Sequence, residues 1–291
     1  MFNVRILFLL IGLFCISMYG QSTRFFVSAH QDDWQLFMNP NVYESIKNKE
    51  DKTVIVHTTA GEAGMGMGND AYYLAREKGS LAAVRFISNT YTSGAGLGAE
   101  MERSYVQLAS HKILRYQYRN CVIYLLRIPD GNGLGSGYKL HSFNSLKKLY
   151  EGKSTDLPTI DQSTIYRDRK DLENTLKELI LKEQLNENIE IHLADTNLKI
   201  NPNDHADHQV SSLFFQEVAK KIGGIQLYLY TNYETSKLPK NVTEKEYLIS
   251  AATWGVTTAK IADFRHNSTW DDVHNSWIGR QYFRTIQLPK R

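Results

Sequence analysis

Two short stretches of this sequence hold residues that could do chemistry together. The first is Arg24-Phe-Phe-Val-Ser-Ala-His-Gln-Asp-Asp-Trp34, in which His30, Asp32 and Asp33 follow an apolar run that stops at Ala29. The second is Asp204-His205-Ala206-Asp207-His208. Imidazole plus carboxylate is the ligand mixture that Zn2+ and other divalent ions accept. Three protein ligands with a place left for water describe a catalytic site, whereas four close a structural one. The two clusters together supply three ligands with a carboxylate and an imidazole to spare. A carboxylate held off the ion can take a proton from water. Taken singly, each cluster reads as readily as a polar loop or a solvated helix cap. Their combination is what favours a metal centre.

The elements that must carry these groups follow from pattern. Residues 24–28 are aromatic and β-branched and predict a short buried strand. At the carboxyl end of such a strand in an open α/β sheet, side chains reach the crevice where ligands bind. His205 and His208 are three apart, so one turn at the start of a helix expected over 209–222 brings both rings to one side. Between the clusters, strand-like and helix-like stretches alternate. Helical character is expected over 34–48, broken near Pro40. A strand at 53–58 runs into the Gly-rich loop 59–68, which lacks the Gly-Lys-Ser/Thr of a phosphate-binding loop. Asn69 is expected to cap a helix ending near Ile87, with Ala71, Leu74, Ala75, Leu81, Ala82 and Phe86 on its apolar side. A strand at 121–126 leads to a second Gly-rich loop, 128–138. A helix at 166–183 and strands at 189–193 and 225–230 complete the series. Such alternation predicts an α/β protein with a Rossmann-like, mostly parallel sheet and helices on both faces, in a single domain.

The start of the chain reads differently. Residues 1–20 carry one charge, Arg5, followed by an apolar run too short to span a bilayer, as in a secretory signal peptide. Cleavage near Gly20–Gln21 would leave residues 21–291 as the working domain, secreted or periplasmic, with no stable membrane insertion. Lys and Arg number 34 against 31 acidic residues, with no dense basic run, so nucleic acid is not an expected partner. Beyond the signal only Cys121 remains, which excludes an internal disulfide. Cys121 opens an apolar run and reads as a buried small hydrophobe.

The paired motifs AHQDD at 29–33 and HADH at 205–208 resemble the signature of the LmbE-like (PIG-L) family of metal-dependent N-acetylglucosamine de-N-acetylases. The likeness extends through Thr59-Ala-Gly-Glu-Ala-Gly64, Ala75-Arg-Glu-Lys-Gly79, Pro129-Asp-Gly-Asn132 and Lys260 with His266-Asn-Ser268, in the expected order. The family's first motif usually reads His-Pro-Asp-Asp-Glu; here Gln31 replaces Pro and Trp34 replaces Glu, neither a metal-ligand position. The resemblance implies that His30, Asp33 and His208 hold zinc, that Asp32 is the general base and that His205 is the electrostatic or acid partner. Asp207 is expected to hold His205. The implied reaction is removal of an acetyl group from an N-acetylated sugar or glycan by metal-activated water, with no acyl-enzyme.

Arg76, Asp130, His266 and Trp34 are the candidate substrate contacts. For Trp34 two orientations are open: into the crevice, where an indole stacks on a sugar ring, or inward, packed with Leu36 and Phe37. His57, His111, His141, His192 and His274 read as packing or hydrogen-bonding residues. Two His and one carboxylate also suit Fe2+ or another divalent ion in place of Zn2+. The competing reading is a metal-containing carbohydrate-binding protein without turnover. Retention of Asp32 and His205 speaks against it, because binding alone needs no free base beside the ion. A two-metal phosphoesterase is less favoured, since the sequence offers no second complete ligand cluster.

Overall fold

A computed structural model describes residues 21–91 and 100–291. The expected signal segment, 1–20, lies outside the described residues. The chain forms an eight-stranded mixed sheet from β1 (Thr23–Ser28), β2 (Lys52–Thr59), β3 (Glu102–Leu108), β4 (His111–Tyr118), β5 (Cys121–Ile128), β8 (Ile189–Ala194), β9 (Gln226–Tyr230) and β10 (Phe283–Gln287). Two further short strands, β6 (Leu157–Pro158) and β7 (Ile165–Tyr166), pair only with each other. The order across the main sheet is β10-β9-β8-β1-β2-β5-β4-β3. The five central strands, β9 to β5 in that order, run parallel, and the flanking strands are antiparallel. The expected mostly parallel α/β sheet is therefore present.

Side-chain alternation along the central strands divides the core in two. Phe25, Val27, Val54, Val56, Val122, Tyr124 and Leu126 pack on one face against α4 (Leu146–Tyr150), α5 (Arg169–Glu183) and α6 (Ala206–Ile222). Phe26, Ile55, Cys121, Ile123 and Leu125 face the other way, against α1 (Asp33–Phe37), α2 (Asn41–Lys47), α3 (Tyr72–Thr90) and α7 (Glu244–Asp263). A last short helix, α8 (Asp272–Asn275), precedes β10. No helix among the described residues is long and apolar enough to cross a membrane.

Several boundaries differ from the pattern, each for a local reason. Pro40 does separate two helices, α1 and α2. Asn69 caps nothing: α3 begins at Tyr72, and Ala71 is its capping position without a side-chain bond. The helix expected from 166 begins at Arg169, where Asp168 accepts the Asp171 N–H, because Ile165 and Tyr166 are committed to β7. The antiparallel β3–β4 hairpin, the helix α7 and β10 were not expected from periodicity. Because the central strands are parallel, the loops after β1, β2, β5, β8 and β9 emerge on one rim.

Candidate metal centre

His30 and Asp32 occupy the turn between β1 and α1, Asp33 is the first residue of α1, and the His205–His208 motif opens α6. That helix starts at Ala206, earlier than apolar periodicity indicates, because the His205 side chain itself is its cap. Nδ1 of His205 accepts the Asp207 backbone N–H at 3.1 Å. His208 thus lies in the first turn and points back to the end of β1.

Three donor atoms converge there. His30 Nδ1 lies 3.2 Å from His208 Nε2. Asp33 Oδ1 is 3.1 Å from His208 Nε2 and 3.7 Å from His30 Nδ1. Ligands at about 2.0–2.1 Å from a tetrahedral ion stand about 3.3 Å apart, so this triangle has the dimensions of such a site. The remaining nitrogens are turned to carboxylates. His208 Nδ1 donates to Asp204 Oδ1 at 2.8 Å, and His30 Nε2 faces Asp207 Oδ2 at 3.5 Å. With a proton on each of these outer nitrogens, a neutral ring would turn its lone pair inward. The donors present fit a divalent ion, and the buried set His30, Asp33 and His208 could hold one.

The surrounding charges favour a cation in this place. Burial opposes a charge on His30, but Asp33, Asp207 and Asp130 raise its pKa to about 10. Burial likewise opposes a charge on His208, and Asp33 and Asp204 overcome it. Burial alone would raise the Asp33 carboxyl, yet His208 and His30 hold it well below the usual carboxylate range. His205 is pushed the other way, by burial and by the neighbouring His30 and His208, so it is neutral. With Nδ1 occupied as an acceptor, its proton sits on Nε2, facing Asp130 Oδ1 at 3.9 Å.

Asp32 stands beside the triangle and accepts a hydrogen bond from Arg76 on α3. Arg76 was expected as a substrate contact. Instead its guanidinium is buried, with Nη1 donating to the Gly61 carbonyl at 2.7 Å and Nη2 to Asp32. It orients the carboxylate and presents no free cation. Gly61 is required for that approach: at φ +56° a Cβ would lie 2.5 Å from Arg76 Nη1.

Asp207 also differs from expectation. Its backbone, not its carboxylate, holds His205. The carboxylate is fully buried, accepts the Gly131 N–H at 2.8 Å and lies nearer His30 than His205, whose Nδ1 is 3.9 Å away. A Cβ on Gly131 would sit 2.4 Å from Asp207 Oδ1, so only glycine lets the loop after β5 come this close. Burial raises the Asp207 carboxyl, Asp130 adds to the rise and His30 opposes it.

Asp130 reaches the site, 3.9 Å from both His30 Nε2 and His205 Nε2, and is held by the N–H groups of Asn132 and Ala63. Its own N–H donates to Glu62, a buried carboxylate that the sequence reading passed over although it lies within Thr59-Ala-Gly-Glu-Ala-Gly64. His30, Asp130, His205 and Asp207 form a second group of metal-donor type, contrary to the expectation of a single cluster. It shares His30, however, and faces that ring through Nε2, on the side away from the triangle.

His266 is half-buried on the rim. Its Nε2 donates to the Asp70 carbonyl at 2.7 Å and its ring lies edge-on to Tyr72, over which Arg76 is placed. Trp34 does not enter the crevice. It is 0 % exposed, packs in the core with Leu36 and Phe37, and donates its N–H to Ser80 Oγ at 3.0 Å. Ser80 also meets His57 Nε2 at 2.9 Å, and burial lowers the His57 pKa to about 4. Asn232 is a further residue that spacing did not single out, and Asp204 opens the second stretch without an assigned role. The Tyr233 ring stands edge-on to His208 at 5.3 Å and stacks on Trp277.

No protein-family model matches the chain, and no curated protein matches it. Among solved structures it is similar to the N,N'-diacetylchitobiose deacetylase from Pyrococcus horikoshii, at 12% identity over 91% of this chain and 84% of that one, with a TM-score of 0.48. It is also similar to the 4-carboxy-2-hydroxymuconate hydratase GalB from Pseudomonas putida KT2440, at 11% identity over 88% and 83% of the two chains, with a TM-score of 0.44.

Proposed function

We propose that this protein is an exported, metal-dependent hydrolase that removes the acetyl group from an N-acetylated amino sugar or glycan. The observation that carries the reading is the convergence of His30 Nδ1, His208 Nε2 and Asp33 Oδ1, with Asp32 and His205 flanking them. The sequence resemblance to the LmbE-like de-N-acetylases supplies the substrate class, and residues 1–20 support export.

A zinc or similar ion held by those three residues would supply Lewis acidity, making water nucleophilic near neutral pH and polarising an acyl oxygen. Asp32 is positioned by Arg76 through one oxygen, which leaves the other to take the proton of the attacking water. The same carboxyl can return that proton to the leaving amine, so the amide C–N bond breaks without a covalent enzyme intermediate. His205, neutral and protonated on Nε2, donates to the oxygen that gains negative charge, a contribution of about 3 kcal/mol in comparable sites. Asp204 holds the outer proton of His208 and Asp207 faces that of His30, so both rings can turn a lone pair to the ion.

The test is acetate release from a panel of N-acetylated mono- and oligosaccharides by zinc-loaded protein. Release that stops on chelation and returns with zinc supports the reading. Tight zinc binding with no release from any N-acylated substrate points instead to a carbohydrate-binding role.

A further inference from the structure

Asp204 opens the second stretch but stands outside its HADH motif, and its side chain is only 1 % exposed. Its Oδ1 accepts from His208 Nδ1 at 2.8 Å and from the His205 backbone N–H at 3.0 Å. Its Oδ2 accepts from Asn232 Nδ2 at 3.0 Å, just beyond the end of β9. Asn232 is in turn fixed through its N–H to Asn201 Oδ1 and through its carbonyl, which takes the Thr235 hydroxyl. No Lys or Arg pairs with Asp204 among the described residues; its charged partner is His208. A buried carboxylate without a cation is costly unless its hydrogen bonds are made. Nor is it an ordinary helix cap, because the cap of α6 is His205.

We propose that Asp204 is a positioning residue of the metal centre: it fixes the tautomer and orientation of His208 and so sets how tightly a metal ion is held. The inference rests on the reading of His208 as a ligand. A ring whose Nδ1–H is bound to a carboxylate must offer Nε2 as the donor, and the bond raises the basicity of that donor. Asn232 clamps the carboxylate from the neighbouring rim loop, so the ligand geometry depends on two strands and a helix rather than on α6 alone.

The test measures Zn2+ affinity by competition with a chromophoric chelator, using metal-stripped wild type, Asp204→Asn and Asp204→Ala, alongside the melting temperature of each metal-free protein. Loss of such an outer partner typically weakens metal binding ~10–100-fold. That range is expected for Asp204→Ala, with a smaller loss for Asp204→Asn, which keeps an acceptor oxygen without its charge. The Asn variant should melt like wild type when metal-free. Wild type that binds zinc tightly while both variants match its affinity overturns this inference alone. A lower metal-free melting temperature with unchanged affinity does the same, since that is a purely structural role. Wild type that binds no zinc overturns the metal reading and this inference with it. Should Asp204→Ala fail to fold, the Asn variant decides.

Discussion

His30 Nδ1 and His208 Nε2 face each other at 3.2 Å across the end of β1, each ring with its other nitrogen turned to a carboxylate. Beside Asp33, both nitrogens can offer a lone pair to one ion placed between them. His208→Ala removes one donor, and elemental analysis of chelator-free protein is expected to fall from close to one equivalent of metal per chain to nearly none. A variant retaining full occupancy would refute the ligand set. Chelation of the wild type should also lower its melting temperature, because an ion at a hundred times its Kd adds about 2.7 kcal/mol to the folded state.

Asp32→Asn separates chemistry from binding. The amide keeps the shape and can still meet Arg76 through its oxygen, but it cannot accept a proton from water. Acetate release should fall ~10²- to 10⁴-fold with metal content unchanged. Undiminished release from a metal-replete variant would assign the base to another group.

Trp34 is a stability residue. Truncating a fully buried Trp typically costs ~3–5 kcal/mol. Trp34→Ala additionally removes the donor to Ser80. Melting several degrees lower, with KM unaltered in the folded fraction, is the expected result. A raised KM at unchanged melting temperature would instead place the indole against substrate.

Glu183 links stability to pH. Burial would raise its carboxyl, but Lys52 and Tyr124, then Arg115, hold it below the ordinary range. Lys52 Nζ lies 2.6 Å away, Arg115 Nε donates at 3.1 Å, and Tyr124 donates its hydroxyl. A group with a depressed folded-state pKa stabilises above its unfolded value, about 4.3 for Glu. That stabilisation is lost as pH falls through the folded value. Glu183→Gln should therefore cost about 1.5–3 kcal/mol at pH 7, the scale of hydrogen bonds to a charged group. The gap from wild type should narrow below about pH 4. Denaturation at several pH values checks this, and a gap independent of pH would remove the charge from the explanation.

Much of the site was legible because its donors are local. A run of aromatic and β-branched residues identifies the strand at 24–28, and its abrupt end at Ala29 places His30, Asp32 and Asp33 at the carboxyl rim of a sheet. The spacing of His205 and His208 requires both rings on one side of a helix start, whatever the rest of the chain does. The alternation of strands and helices fixed a parallel sheet, and with it the meeting of loops from distant parts of the sequence. The β3–β4 hairpin and α7 were less legible, the first half exposed and the second mixing Thr, Ala and Lys among few large apolar residues.

What only the tertiary structure decided is which polar group serves which. Pattern assigns a residue to an element, but the direction of a polar side chain at a helix start depends on the cap that forms. Because His205 takes the cap, Asp207 turns inward to Gly131 and His30 while its backbone N–H serves His205. Arg76 reads as a substrate contact from the motif alone, but in the fold Asp32 and the Gly61 carbonyl take both of its terminal nitrogens. Trp34 lies two residues from Asp32 yet points the opposite way, because one face of so short a helix must fill the core between the sheet and α3. The sequence by itself determined the metal-type donors and the rim on which they stand. Long-range packing determined their partners, since hydrogen bonds between residues far apart in the chain leave no periodic trace in it.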